Sequence, residues 1–372
     1  MHTSPATALD QDLRHVATTL FSCPTAPYHE TQTRAAMRSL VEGLPHTSIH
    51  EDVYGNTLVH YKRNPEPGRA FTLVAHLDHP GFVVCTIQGK RNAHFLGGMH
   101  LRYFEGKQVA FYNADGPQPL GTARIARAET AKGHTKVYFE TEPPRAARFG
   151  MWDLPAIQYT RDRCRGRALD DLAGSASLIA LLRRLARNRA EAEVCCLFTR
   201  AEEVGFHGAL AFLKGELLGR LPVGGPVLSI ETSNAQGFAK LGAGPILRVG
   251  DRATIFTPAV TSWLELALAD LGRLHTRFPY QRLLMGGGTC EGTVFQQAGY
   301  PTGALCLALR NFHNMGPGNT VAAEAVATSD WQMLHEYLFY LATVASPCHT
   351  AHSTELCQRL RDLQEDALKK LL

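Results

Sequence analysis

Four continuous apolar runs, each ending at or followed by a polar residue, dominate the hydrophobic pattern of the chain. They are FTLVAH (71–76), EVCCLFT (193–199), PVLSIE (226–231) and TGALCLAL (302–309). Uninterrupted runs of this length are typical of strands buried on both faces of a parallel sheet. Segments 170–188 and 321–344 carry apolar residues at helical spacing. The pattern therefore predicts an α/β fold with a mainly parallel central sheet and helices on both faces.

A different pattern occupies residues 83–160. Short strand-like runs such as QVAFYNADG, GTARIARAE and HTKVYFETEPP are broken by glycine, proline and turn residues. Such strands are too short and too interrupted to join a parallel sheet. We therefore predict a small β-rich domain inserted into a larger α/β domain made of residues 1–82 and 161–372. The insertion would serve as a lid or as an oligomer contact.

Composition and charge restrict the class of protein. The 372 residues include 38 Lys+Arg and 34 Asp+Glu, for a net charge of +4, with no dense basic block. This balance gives no reason to expect nucleic acid or a membrane as partner. No run reaches the roughly 18 apolar residues of a membrane span, and the N-terminal residues lack a signal-peptide core. Nine scattered cysteines without CxxC spacing predict reduced thiols in a cytoplasmic protein.

Acidic and histidine side chains cluster where the predicted strands end. These candidates are His76, Asp78, Glu202, Glu203, Glu231 and His313, with Asp170 at the start of the next helix. Ligands of open α/β sheets bind at the carboxyl ends of the strands. Adjacent carboxylates such as Glu202 and Glu203 repel each other unless a cation is near or one of them is protonated. Histidines and carboxylates together predict two divalent cations, with zinc preferred and manganese or cobalt as alternatives.

Each candidate also has a simpler interpretation when it is considered alone. Asp170 would suit a helix N-terminus, Glu202 and Glu203 a solvated turn, and His313 a loop. These separate interpretations do not explain why all the residues follow successive core strands at the same predicted edge of the sheet. The metal-site interpretation explains the whole set.

Several motifs carry a resemblance to a known family. In order along the chain they are VAHLDHPGF, RALDDLAGSA, TRAEEVGFHGA, LSIETSNA, GGGTCEG and LRNFHNMG. Their order resembles that of the co-catalytic di-zinc aminopeptidases, above all the glutamyl and deblocking aminopeptidase family, the M-forty-two family, whose members often form tetrahedral particles. In that family a small β domain lies between the motifs that hold His76 and Asp170 here.

The resemblance implies a role for each matched residue. The implied metal ligands are His76, Asp170, Glu203, Glu231 and His313. Asp170 would bridge the two ions, and Glu202 would be the general base and acid. Asp78 would contact the distal nitrogen of His76 and fix its tautomer.

Three positions depart from the family pattern and concern the substrate. Glu231 stands where aspartate is usual, Cys290 takes the aspartate position of GGTDAG, and His79 replaces a glutamate. Glu291, next to Cys290, could restore the missing acid and help to hold a substrate ammonium group. Arg310 matches a family position and is a second predicted substrate contact.

These features predict a metal-dependent hydrolase that removes N-terminal residues from short peptides or amino-acid amides by means of a metal-activated water. An N-acyl amino acid amidohydrolase or a carboxypeptidase-type hydrolase remains an alternative, because enzymes of those types have glutamate at the position of Glu231. A non-catalytic metal-binding scaffold protein is a further alternative.

The C-terminal segment 353–372 predicts an amphipathic helix, with Leu356, Leu360, Leu363 and Ala367 on one stripe. This helix could cap the core or bind another subunit. We expect a homo-oligomer, and the sequence does not fix the number of subunits.

Overall fold

The strands form an eight-stranded sheet, a closed barrel and a small three-stranded sheet. A computed structural model describes residues 9–131, 134–235, 237–275, 278–286, 288–348, 359, 362–364 and 367. In chain order the strands are β1 (Thr47–Glu51), β2 (Thr57–Arg63), β3 (Phe71–His76), β4 (Gly81–Ile87), β5 (Lys90–Leu96), β6 (Gln108–Tyr112), β7 (Gly121–Ala131), β8 (His134–Phe139), β9 (Phe149–Trp152), β10 (Ile157–Tyr159), β11 (Arg163–Gly166), β12 (Ala192–Thr199), β13 (Val227–Asn234), β14 (Ile246–Gly250), β15 (Gln281–Leu284), β16 (Thr302–Leu309) and β17 (Glu324–Ala327).

Helices cover both faces of the large sheet. They are α1 (Gln11–Ser22), α2 (Thr31–Val41), α3 (Leu169–Asn188), α4 (His207–Phe212), α5 (Pro258–Leu274), α6 (Glu291–Gln297) and α7 (Thr328–Thr343). Successive strand residues point to opposite faces, so Leu73 joins the core that contains α1, α3, α5 and α7. The next residue, Val74, joins the core that contains α4 and α6. The four apolar runs are therefore buried on both sides.

The large sheet is mixed, with the order β1-β2-β12-β3-β13-β16-β14-β15. Its four central strands, β12, β3, β13 and β16, run parallel. The pairs β1–β2, β2–β12 and β14–β16 are antiparallel, and β14–β15 is parallel. The predicted mainly parallel sheet is thus correct only for the centre. The strands on either side, which include half-exposed residues, pair in the antiparallel arrangement that tolerates solvent on one side.

One predicted helix begins later than its sequence pattern indicates. Residues 324–327 form β17, which pairs antiparallel with β11, and α7 begins at Thr328. All four residues of β17 are buried. Pairing with β11 therefore prevails over the helical spacing of the segment 321–327.

Residues 81–152 contribute all six strands of the barrel, in the order β4-β5-β8-β7-β6-β9. An aromatic core fills it, with the Phe82 and Trp152 ring centroids 4.8 Å apart. The strand that follows, β10, pairs with β11 in the small sheet instead. The division into domains and the lid or oligomer-contact role of the insertion stay predictions.

No described helix combines the length and the apolar character needed to cross a membrane. Of the predicted C-terminal stripe, Leu356 and Leu360 lie outside the described residues. The role of that segment therefore stays open.

Candidate active site

Six acidic and histidine side chains converge at the carboxyl edge of the four central strands. They are His76, Asp170, Glu202, Glu203, Glu231 and His313. His76 is the last residue of β3, and its register partner on β12 is Thr199, just before the turn that holds the glutamate pair. Because the central strands are parallel, the turns that follow them meet at one edge.

Asp170 occupies the middle of this cluster. Its Oδ1 atom lies 3.7 Å from Nε2 of His76, and its Oδ2 atom lies 3.6 Å from Nε2 of His313. The peptide bond between Asp170 and Asp171 is cis. The two oxygens of one carboxylate thus face two different imidazoles, as a bridging ligand requires.

Among the described residues, three overlapping groups of side chains could each hold a cation, with their ligand atoms within 4.8 Å of one another. They are His76–Glu202–Glu203, Asp170–Glu203–His313 and His76–Asp171–Glu231. All five predicted ligands belong to these groups. Asp171, which the sequence analysis did not include among the ligands, belongs to the third.

Asp78 organises the turn that carries the glutamate pair. Its two carboxylate oxygens accept hydrogen bonds from the backbone amides of Glu202 (2.9 Å) and Glu203 (3.1 Å). Its Oδ1 atom also lies 3.5 Å from Nδ1 of His76. With no exposed surface, Asp78 connects β3 to the turn after β12 and leaves Nε2 of His76 to face the cluster.

The hydrogen-bond partner of the His313 ring comes from the barrel segment. Its Nδ1 atom lies 2.6 Å from the backbone oxygen of Gly98, which can only accept a hydrogen bond. Nδ1 therefore carries a proton, and Nε2 is the nitrogen that faces Asp170 and Glu203. Nε2 lies 3.2 Å from Oε1 of Glu203. This tautomer is the one that a metal-binding histidine needs.

Burial keeps several of these carboxyl groups from ionising readily. It raises the pKa of Glu231 to about 8, and it raises the pKa values of Glu202 and Asp171 well above their ordinary range. Burial acts in the same direction on Asp170, but the imidazoles of His313 and His76 outweigh it and lower the pKa of that carboxyl. A cation would relieve the repulsion among these groups, because it favours their charged forms.

The side chains fit divalent cations. Oε1 of Glu203 is buried, and within the described part of the chain its polar neighbour is Nε2 of His313 at 3.2 Å, with which it does not meet the geometry of a hydrogen bond. A buried carboxylate oxygen normally has a partner. Imidazole and carboxylate ligands suit zinc, and they also suit manganese and cobalt. The identity and the number of the ions do not follow from the ligand types alone.

A cavity of about 500 Å³ opens above the cluster. Its polar lining includes Thr232, Ser233 and Arg248, and its apolar lining includes Phe206, Met285 and Phe312. A volume of this size is within the range of pockets that bind small molecules. A small ligand in this cavity would therefore contact the acidic cluster.

Glu291 and Arg310, the two predicted substrate contacts, do not line this cavity among the described residues. Glu291 has no exposed surface, and burial raises its pKa to about 7. Arg310 is exposed, and its backbone pairs with Ala325 at the start of the turn toward His313. Glu291 is thus buried outside the described lining of the cavity and Arg310 lies on the surface, and their contacts with a substrate stay predictions.

Two buried residues near the site were missed by the sequence analysis. Arg248 lies on β14 and lines the cavity with only 5% of its surface exposed. Glu324 lies on β17 and is fully buried. A charged residue inside an apolar run, as in ILRVG and AAEAVA, is the signal that could have identified both, because unpaired charges are rarely buried.

Comparisons with known proteins agree with this geometry. Residues 145–327 match the family model described as M42 glutamyl aminopeptidase. A protein named as a putative aminopeptidase of Acetivibrio thermocellus is 25% identical over 281 residues, which cover 72% of this chain and 81% of that protein.

Solved structures share the fold. The TET aminopeptidase of a marine sediment Thaumarchaeota archaeon has a TM-score of 0.74 at 18% identity, covering 90% of this chain and 97% of that one. The aminopeptidase of Desulfurococcus kamchatkensis has a TM-score of 0.73 at 20% identity, with 91% and 96% covered. The TET1 peptidase of Pyrococcus horikoshii, described as assembling into a tetrahedron or a large octahedral shell, has a TM-score of 0.69 at 19% identity, with 89% and 99% covered.

Proposed function

We propose that the chain is a metal-dependent aminopeptidase of the M42 glutamyl aminopeptidase family, whose model matches residues 145–327, and that it removes N-terminal residues from short peptides. The observation that carries the proposal is the position of Asp170. Its two carboxylate oxygens face the Nε2 atoms of two separate histidines, and Glu202 lies beside the same cluster. A bridging acid next to a free acid suits metal-assisted hydrolysis of an amide bond.

We propose that two divalent cations, zinc or else cobalt or manganese, are held by the predicted ligands. These are His76, Asp170, Glu203, Glu231 and His313. Bound there, the cations would supply a polarised scissile carbonyl and a water of lowered pKa. Asp171 lies close enough to one group to take part in binding.

The protein's own residues have distinct tasks in this proposal. Glu202 takes a proton from the attacking water and delivers it to the leaving amine. Asp78 holds the Glu202 amide and the His76 ring, so that both keep their positions while Glu202 changes protonation. The cavity carboxylates attract the free ammonium group of a substrate.

A carboxypeptidase-type activity is the second candidate, and Arg248 is the observation that favours it. A buried arginine in the cavity could pair with the C-terminal carboxylate of a substrate or with an acidic side chain at its N-terminus. An N-acyl amino acid carries a carboxylate as well, so the same residue fits an amidohydrolase. An aminopeptidase alone requires a free amino group beside the scissile bond, and this requirement distinguishes it from the other two activities.

A matched set of substrates tests the proposed aminopeptidase activity. We expect the metal-loaded protein to hydrolyse a short peptide with a free N-terminus and to lose most of that turnover when the same N-terminus is acetylated. The reason is that the acetyl group removes the ammonium that the acidic cavity attracts. Product analysis by mass spectrometry identifies the released residue. Unchanged turnover of the acetylated peptide, or release of C-terminal residues, would replace the aminopeptidase by the second candidate.

We further propose that the side chain accepted at the substrate N-terminus is acidic. Nε of Arg248 has no hydrogen-bond partner among the described residues, and its guanidinium lies 3.8 Å from the Asp251 carboxylate. Asp251 already accepts hydrogen bonds from the backbone amides of Ala253, Thr254 and Cys290. Arg248 therefore retains donors for a substrate carboxylate.

Replacing Arg248 with Met should lower kcat/KM for glutamyl substrates by about tenfold to a hundredfold, because a charged hydrogen bond is lost. Leucyl and alanyl substrates should change much less. Steady-state kinetics on the three substrates gives the comparison, with Arg252→Met as the matched control on an exposed arginine. Equal losses on all three substrates would contradict a role of Arg248 in selectivity.

We propose that the protein works as a homo-oligomer. The support is the fold shared with the TET1 peptidase of Pyrococcus horikoshii, which is described as a tetrahedral or octahedral assembly. The barrel is the element that we propose for subunit contacts or for a lid over the cavity.

A further inference from the structure

Three backbone amides from two separate turns converge on the carboxylate of Glu324. Its Oε2 atom accepts hydrogen bonds from the amides of Leu169 (2.7 Å) and Asp170 (3.1 Å). Its Oε1 atom accepts one from the amide of His313 (2.8 Å). Glu324 is fully buried and does not line the cavity. It therefore contacts the backbone of the two candidate ligands from outside the cavity.

We propose that Glu324 is a positioning residue that fixes Asp170 and His313 relative to each other and thereby sets the affinity of the Asp170–Glu203–His313 group for its cation. The inference rests on the metal binding of the proposed function. It does not rest on the choice of peptide substrate.

The segment that leads into the regular part of α3 depends on this contact. Asp170 and Asp171 have non-helical backbone angles, and the preceding Ala168 has no side chain that could accept from the amides of Leu169 and Asp170. Those amides need an acceptor when they are buried. Glu324 supplies it from a position 154 residues away from Asp170 in the sequence. The orientation of Asp170 is therefore tied to β17.

The turn that carries His313 also depends on its surroundings. Asn311, His313 and Asn314 all have left-handed backbone conformations, with φ values of 58°, 53° and 63°. Residues other than glycine adopt this region at a cost and keep it only where neighbouring groups hold them. The Glu324 carboxylate holds the His313 amide directly. Asn314 donates from its side chain to the backbone oxygen of Arg167.

Loss of Glu324 should affect one side of the cluster more than the other, because a different carboxylate, that of Asp78, holds the side that contains His76. Asp78 holds the backbone of the glutamate turn and contacts His76. Of the Asp170–Glu203–His313 group, Asp78 thus holds Glu203, whereas Glu324 holds Asp170 and His313. Loss of Glu324 should disturb the His313 side of the cluster far more than the His76 side.

Glu324→Gln is the sharpest test, because it preserves size while only one of its two terminal atoms can accept a hydrogen bond. The full-length protein is stripped of metal with a chelator and titrated with Zn²⁺ in a calorimeter, and with Co²⁺ while its visible absorption is recorded. We expect one binding step to weaken about 10- to 100-fold, which is the usual effect of losing a partner behind a metal ligand. We expect the other step, which shares Asp170, to change much less, and we expect the weakened step to show an altered Co²⁺ spectrum.

Asp330→Asn is the matched control. Asp330 is 1% exposed and accepts hydrogen bonds from the backbone amides of Gly242 (2.7 Å) and Gly244 (2.9 Å), outside the candidate metal groups. Its replacement should lower the melting temperature without changing either metal affinity. An equal loss of metal affinity in both variants would show a general loss of stability and overturn the proposal.

Further outcomes separate this proposal from the proposed function. Unchanged affinities in a folded Glu324→Gln protein overturn the positioning role alone, whatever the substrate is. A wild-type protein that binds no cation overturns both. If Glu324→Gln does not fold, Glu324→Asp keeps the charge with a shorter reach. That variant must weaken the same binding step to a smaller degree, and unchanged binding would again overturn the role.

Discussion

Glu202→Gln should lower kcat by about 10²- to 10⁴-fold while the protein keeps its metal ions. The side chain keeps its size but can no longer carry a proton, and general acid–base catalysis contributes rate factors of about this magnitude. The backbone amide of residue 202 still donates to Asp78, so the turn should keep its shape. Steady-state kinetics and elemental analysis of the same preparation measure the two quantities.

Glu216→Gln is the control, because it makes the same substitution at an exposed position of a neighbouring turn. It should leave kcat unchanged. A loss below tenfold in Glu202→Gln would exclude the proposed role as proton carrier. Loss of metal together with activity would instead make Glu202 a ligand, which is a role that its proximity to His76 permits.

Asp170→Ala should release at least one metal ion and abolish most turnover. Asp170 is the carboxylate whose two oxygens face both histidines of the cluster. Without it the two proposed cations would share no bridging carboxylate, and each of them would lose one ligand. Metal content per chain, measured by elemental analysis after loading with excess Zn²⁺, should fall from about two equivalents to about one or less.

The control for this change is Asp115→Ala, on an exposed loop of the insertion. Its metal content and activity should equal those of the wild type. Thermal melting of both variants separates loss of metal from loss of fold. Full metal retention in a folded Asp170→Ala protein would contradict the bridging role.

The sequence predicts the centre of the fold well because its signal there is continuous. The strand β3 matches the run FTLVAH residue for residue, and β16 matches TGALCLAL. Both runs are buried throughout, so their apolar character is uninterrupted. The outer strands β14 and β15 are short, and β15 has exposed positions. The apolar patterns of these two strands therefore cannot be distinguished in the sequence from those of loops and helices.

The residues around the candidate ligands could be predicted only where they lie near a ligand in the sequence. Asp78 lies two positions from His76, and its contact follows from that short separation. Glu324 reaches Asp170 across 154 positions, and Gly98 reaches His313 across 215. Contacts of this kind depend on how sheets and loops pack in three dimensions, and no local sequence pattern predicts them. Arg248 was missed for a different reason, because β14 is too short to be recognised as a strand and the charge inside its apolar run was not used as a signal.

The hydrogen bond between Gly98 and His313 bears on how the insertion can be engineered. The acceptor is a backbone oxygen from the barrel segment, and no side chain of the large sheet takes its place among the described contacts of Nδ1. A shortened chain without the barrel would leave His313 free to place its proton on either ring nitrogen. The barrel is therefore not a detachable module, since removing it would change the proton position on a histidine that lies 215 residues away in the sequence.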